Sequence, residues 1–335
     1  MNRRTFLKKA AEVGGLAFAS SWIPAYAETQ ANKKVARVAF VKTNDRAYGV
    51  SRAIDLFGPE SFKNKDLFIK PNFNSADPTP GSTHIDTLNA LAGKLRKMGA
   101  GQLTVGDRSG MGITRGVMKS KGLFQLADEQ GLKTIVFDEL EENQWNLIRQ
   151  KDTHWERGFA LPVPVQKASG IVSTCCLKTH RYGGHFTLSL KNSVGLAAKF
   201  VPGDSYNYMN ELHSSPYQRD MIAEINAAYQ PDLVVLDGVE AFTNGGPDSG
   251  RKVQSSVILA GTDRVAIDAV GVAILRHYGT TDEVSRGAIF DQDQIKRAVA
   301  LGVGVDRPDR IELVTDDPES AAYAKTIRNI LDGKA

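Results

Sequence analysis

The segment Leu177-Lys178-Thr179-His180-Arg181-Tyr182-Gly183-Gly184-His185, continuing through Ser189-Leu190-Lys191-Asn192, gathers the side chains best suited to chemistry. Two imidazoles five residues apart across a Gly-Gly turn can ligate a divalent metal or transfer protons near neutral pH. Lys178 and Lys191 can clamp a carboxylate or phosphate, or act as nucleophiles where burial lowers their pKa. Gly183 and Gly184 allow backbone N–H groups to approach an anion. A histidine pair beside an arginine is more often a hydrogen-bonded loop, so spacing alone does not establish a metal site. The candidate metal ligands are His180, His185, His213 and Asp237, with Glu240 as a further carboxylate.

These residues need elements to hold them. Five predicted strands run into polar residues: Leu67–Ile69 into Lys70-Pro71-Asn72, Leu103–Val105 into Gly106-Asp107-Arg108, Thr134–Phe137 into Asp138, Ile171–Leu177 into Lys178-Thr179-His180, and Leu233–Leu236 into Asp237-Gly238. In an open parallel sheet, ligands bind outside the carboxyl ends of the strands. Any one strand must end in something polar; five ending in Lys, Asp or His favour a shared site. The catalytic candidates are therefore His180, Lys178, Lys191 and Asp107. The substrate-binding candidates are Lys70, Asn72, Asn192 and Gly246, the last within the loop Asn244–Gly250, which reads equally as a simple turn.

Short apolar runs alternate with helical patterns, predicting an α/β fold with a mostly parallel sheet, helices on both faces and three layers. Further strands are predicted at Val35–Val41, Val257–Ala260 and Ile311–Val314. Helices are predicted at Ile85–Met98, Val117–Gln130, Pro216–Ala228, Arg264–His277, Gln294–Ala300 and Glu319–Leu331, with Thr83 and Thr262-Asp263 as caps. Residues 139–168, with Trp145, Trp155 and Pro162-Val163-Pro164, read as an excursion. Residues 192–215 have no period and read as a binding loop or lid. Asp268, inside an apolar run, must be buried and paired, most simply in a structural salt bridge. The chain contains no P-loop, Rossmann glycine fingerprint, His-Glu-x-x-His or nucleophile elbow.

The N-terminus carries Asn2-Arg3-Arg4-Thr5-Phe6-Leu7-Lys8, an apolar run from Val13 to Ile23 and the small-x-small site Ala25-Tyr26-Ala27. That order reads as a twin-arginine export signal over residues 1–27. It predicts a periplasmic protein starting at Glu28, folded before export, with 28–335 as a single α/β domain. The twin-arginine export machinery is then a partner, and no stable membrane anchor remains. The signal holds four basic residues and one acid, so the net charge of +4 falls to +1 without it. That leaves no electrostatic case for nucleic acid. The adjacent Cys175 and Cys176 are the only cysteines. Two cannot hold an iron–sulfur cluster or a usual structural zinc, and they read as buried thiols, with a strained disulfide as the alternative.

Between Leu67 and His277 the chain resembles the bacterial and archaeal family called domain of unknown function 362. The resemblance rests on Ile69-Lys70-Pro71-Asn72, Val105-Gly106-Asp107, Leu177–His180, Ser189–Asn192 with Gly195, His213, Asp237-Gly238, Gly246-Pro247, Gly250, and Asp263 with Ala266-Ile267-Asp268. Many relatives carry a ferredoxin-like cysteine segment and are labelled iron–sulfur proteins; this chain lacks those cysteines. A looser likeness is to the nickel-pincer lactate racemases, through His180, Gly183-Gly184, Lys191 and Pro202-Gly203 at different spacing, and it stands as analogy alone.

Together these features predict a periplasmic enzyme acting on a small anionic or polar molecule, with a divalent metal as a cofactor option. A non-catalytic solute- or cofactor-binding protein shares the same pocket. An accessory factor for another exported protein predicts instead an exposed aromatic patch around Trp145, Trp155 and Tyr206–Tyr208.

Overall fold

The computed structural model describes residues 35–334. The export signal and the expected start at Glu28 lie outside the described residues. The strands are β1 (Ala36–Lys42), β2 (Leu67–Lys70), β3 (Leu103–Asp107), β4 (Lys133–Val136), β5 (Trp145–Ile148), β6 (Phe159–Pro162), β7 (Gly170–His180), β8 (His185–Thr187), β9 (Leu233–Gly245), β10 (Gly250–Gly261) and β11 (Ile311–Val314). Nine form one sheet in the order β11-β1-β10-β9-β7-β2-β3-β4, with β8 attached to β7. Only β10 and the short β8 run against their neighbours; every other pairing is parallel.

Alternation along each strand divides the apolar side chains between two helical layers. Ala39, Val41, Leu67, Ile69, Val105, Val172 and Val235 point to one face, where they meet residues of the helices Arg46–Phe57, Ile85–Lys97 and Leu123–Gln130. Val38, Phe40, Leu177, Leu236 and Leu259 point to the other, against the helices Arg264–His277, Asp293–Ala300 and Pro318–Leu331. Phe68, Phe137 and Ile171 continue that second face beneath Trp155, Phe159, Met221 and Ile225. Period-2 strands covered on both sides explain the near-continuous apolar runs. The three-layer α/β architecture is as expected.

Three local departures have physical causes. The helix Arg46–Phe57 is not predicted, because Gly49 interrupts its pattern. Yet Asp45 caps it by accepting the Tyr48 N–H at 3.0 Å, and a Cβ at Gly49 would lie 2.6 Å from Ile258. Close packing of helix on sheet outweighs propensity there. The expected helix Val117–Gln130 is two helices, Thr114–Ser120 and Leu123–Gln130, broken at Gly122 with φ 75°. Thr83 is not a cap: His84 is, through Nδ1 and the Asp86 N–H, while Thr83 Oγ1 accepts the Asn72 N–H. Asp263 does cap its helix, accepting from Ala266 N–H at 2.8 Å.

The excursion 139–168 contains the antiparallel pair β5·β6, registered from Trp145↔Pro162 to Ile148↔Phe159. Trp155 is buried there, its indole donating to Met221 O at 3.2 Å. Tyr208 is buried too, so Trp155 and Tyr208 belong to the interior rather than to an exposed aromatic patch. Asp268 is paired, though not by a direct salt bridge: it accepts the Ser189 N–H at 2.7 Å and the Leu190 N–H at 3.1 Å. Cys175 and Cys176 are free and buried. Burial pushes both thiols up, Cys176 to about 11, which leaves them protonated and unreactive. No described helix is long and apolar enough to cross a membrane.

Candidate functional site

Parallel strands β2, β3 and β7 carry Lys70, Asp107 and Lys178 toward their carboxyl ends, and the three side chains meet at a cavity of about 440 Å3. That volume lies within the range of about 300–1,000 Å3 usual for small-molecule sites. Segment 192–215 forms the facing wall through Asn192, Val194, Gly195, Lys199, Asn207, Met209, Asn210 and His213. It is ordered by a one-turn helix at Ser189–Asn192, a 3-10 turn at Ser193–Gly195 and the helix Tyr208–Ser214. The missing hydrophobic period reflects a segment that folds around a cavity rather than onto a core.

The floor is a closed polar network. Lys70 Nζ lies 2.6 Å from Asp107 Oδ1, and the other Asp107 oxygen accepts the Phe73 N–H at 2.7 Å. Gly195 passes over this pair so closely that a Cβ there would stand 2.4 Å from Asp107 Oδ1. Asn192 ties β7 to the segment that follows β2. Its amide donates to Ser173 Oγ at 3.0 Å and to Thr174 O at 3.2 Å, and its oxygen accepts from Asn72 Nδ2 at 3.1 Å. Asn72 Oδ1 in turn accepts from Lys178 Nζ at 3.0 Å, and Lys178 also donates to Gly81 O. Burial lowers the Lys70 ammonium and raises the Asp107 carboxyl from their ordinary values. Burial also lowers Lys178 to about 8.

Above this floor stand groups without partners. Lys191 is 7 % exposed and makes no hydrogen bond or ion pair with any described residue. Burial, aided by the neighbouring charges of Lys178 and Arg108, lowers its ammonium to about 7. His180 Nδ1, Thr187 Oγ1 and Asn74 Nδ2 are buried without hydrogen-bond partners among the described residues, and all three residues line the cavity. Burial, then Lys191 and Lys178, hold the His180 imidazole well below its ordinary value, so it is neutral near pH 7. Gly184 lies between the two: a Cβ there would be 2.5 Å from Lys191 Cε and 3.0 Å from His180 Nδ1. His213 Nδ1 lies 2.6 Å from Met209 O, so the ring donates there and turns Nε2 outward as an acceptor. Five basic residues line the cavity (Lys70, Arg108, Lys178, Lys191 and Lys199) against the single carboxylate of Asp107.

The structure thus brings Lys70, Asn72, Asp107, Lys178, His180, Lys191, Asn192 and His213 to one cavity, and leaves His185, Asp237 and Gly246 out of its lining. His185 sits opposite His180 in the β7·β8 ladder, but the charges acting on it are Arg219, Glu283 and Asp293. Asp237 is engaged elsewhere, by Arg46 Nε at 2.9 Å, Thr87 Oγ1 at 2.6 Å and Val239 N at 3.1 Å. Gly246 lies behind the wall against Thr179 O. The expected metal set is therefore split, and among the described residues no group of three His, Cys, Asp or Glu side chains is placed to hold a metal ion.

Arg108 was the residue that sequence reasoning missed. It follows Asp107, is 3 % exposed, and donates to Ala197 O at 2.8 Å and Val194 O at 2.7 Å, fastening the facing wall to β3. An arginine directly after a strand-end aspartate was the available signal. Asn74, Tyr182 and Thr187 carried none, since only the fold brings them to the cavity.

The family model described as Domain of unknown function (DUF362) matches residues 67–273. The thylakoid-associated protein sll1697 of Synechocystis sp. is 23 % identical over 219 residues, 63 % of this chain and 63 % of that protein. The lactate racemase apoprotein from Thermoanaerobacterium thermosaccharolyticum superposes with a TM-score of 0.43 at 16 % identity, over 69 % of this chain and 55 % of that one. The chain therefore spans less than two thirds of the length of either.

Proposed function

This chain belongs to the family of the domain of unknown function 362, and from that premise and the cavity we propose that it is an exported enzyme acting on a small carboxylate- or phosphate-bearing molecule. The carrying observation is that Lys191 and His180, both buried and adjacent, lack partners where every floor residue has one. A buried polar atom without a partner, as at His180 Nδ1, is costly, and an anionic substrate at this point supplies what is missing. Lys70, Lys178 and Arg108 set the positive potential that draws the anion in. Lys191 contacts it, and the neutral His180 moves a proton. The periplasmic location rests on the twin-arginine pattern of residues 1–27, and the export machinery is the corresponding partner.

A solute-binding protein would use the same cations. The adjacent amine and imidazole favour turnover, since binding alone needs no neutral proton acceptor. Thermal unfolding of the purified protein with a panel of small carboxylates and phosphates tests the reading. At least one anion is expected to raise Tm in the wild type and in His180→Ala, with turnover lost in the variant. A panel with no stabilising anion defeats the proposal, and turnover that survives in His180→Ala returns it to simple binding.

A further inference from the structure

The unpartnered amine points to a more specific chemistry, which rests on the anion-binding reading above. We infer that Lys191 forms a covalent imine with a small 2-oxo acid, a carboxylate carrying an adjacent ketone or aldehyde carbonyl.

Five features of the cavity converge on this. Lys191 Nζ has no hydrogen-bond acceptor or counter-ion among the described residues, so its lone pair is not engaged when the amine is neutral. The nearby Lys178 and Arg108 favour that neutral form in the way an adjacent cation activates a nucleophilic lysine. The same two cations, with Lys70, line the cavity and make it positive where the carboxylate beside the reacting carbon would sit. His180 Nδ1 is unpartnered and stands across Gly184 from the Lys191 stem, which makes it the proton acceptor for the amine. Thr187 Oγ1, also without a partner and in the same wall, can donate to the carbonyl oxygen. Lys70 and Lys178 are bound into the floor network and cannot take this role without breaking it.

The step balances without an added reagent. The neutral amine attacks the carbonyl carbon, forming a C–N bond while the C=O π pair moves to oxygen. His180 takes each of the two nitrogen protons in turn and passes it to that oxygen. The C–O bond then breaks, water leaves, and a neutral C=N bond remains. No oxidation state changes overall.

The test is reductive trapping. The full protein is incubated with sodium cyanoborohydride and either pyruvate or 2-oxoglutarate, with propionate as the carboxylate that lacks a carbonyl, and followed by intact mass and peptide mapping. The expected result is one reduced adduct, on the peptide containing Lys191, with a 2-oxo acid and none with propionate. Lys191→Arg is expected to abolish it and His180→Gln to slow it about 10²-fold. Should Lys191→Arg fail to fold, the mapped site in the wild type decides. Adducts scattered over exposed lysines overturn the inference. A Tm rise with pyruvate or propionate but no adduct overturns the imine and leaves the anion site standing. No adduct and no Tm rise with any anion removes both.

Discussion

Glu224 and Lys191 are both buried charged residues, and their surroundings are opposite. Glu224 Oε1 accepts from His154 Nδ1 at 2.7 Å and from Arg297 at 2.8 and 3.1 Å, while Oε2 accepts the His154 N–H at 3.0 Å. One carboxylate thereby joins the excursion 139–168, the helix Gln218–Asn226 and the helix Asp293–Ala300. Lys191 joins nothing among the described residues. A buried charge with satisfied partners holds chain segments in place, whereas one without them lowers stability and is explained by what binds there. Asp268 lies between these cases. It is wholly buried, and by accepting the Ser189 and Leu190 N–H groups it fixes the one-turn helix that carries Lys191 and Asn192. It is a structural residue in the service of the cavity.

The contrast can be broken most forcefully at Glu224. Glu224→Ala leaves Arg297 and His154 without their acceptor and is expected to cost about 3–5 kcal/mol in urea unfolding. A loss below about 1 kcal/mol would mean that the clamp is not what holds these elements. Asp268→Ala, which strips two N–H groups of their buried acceptor, should cost about 1–3 kcal/mol and weaken anion binding as Lys191 loses its fixed position. Unchanged binding would detach Asp268 from the site. Lys191→Met should move the other way, raising Tm by about 2–4 °C, equivalent to about 1 kcal/mol, while anion-induced stabilisation disappears. A lower Tm would show that the amine has a structural partner after all.

The last comparison is in pH. Lys191 is faced by Lys178, Arg108, His180 and His213, and its folded-state value is about 7 against 10.5 for the free side chain. Between those values the unfolded chain holds a proton that the folded chain has released, so this residue's contribution to stability rises with pH across that window. Reductive labelling of Lys191 should likewise rise about tenfold per pH unit below about 7 and level off above it. Lys191→Met should remove the corresponding part of the stability slope. A wild-type labelling profile that keeps rising to pH 10 would show an ordinary lysine.

Composition and order determined much of this protein. The β-branched apolar runs specified the principal strands of the sheet, because strands covered on both faces need no polar alternation. The polar residues closing β2, β3 and β7 marked the cavity, because the carboxyl ends of parallel strands open to solvent there. Tertiary structure decided what those residues do. Lys70, Lys178 and Lys191 are equivalent as letters, yet two are fastened to Asp107 and Asn72, 37 and 106 positions away, and one has no partner among the described residues. It also left His185 and Asp237 out of the cavity that His180 lines, Asp237 being held by Arg46 from a distant helix. Local pattern follows from backbone periodicity and is written in the sequence. Which buried charge goes unpaired is a property of packing, settled only when every other group has taken its partner.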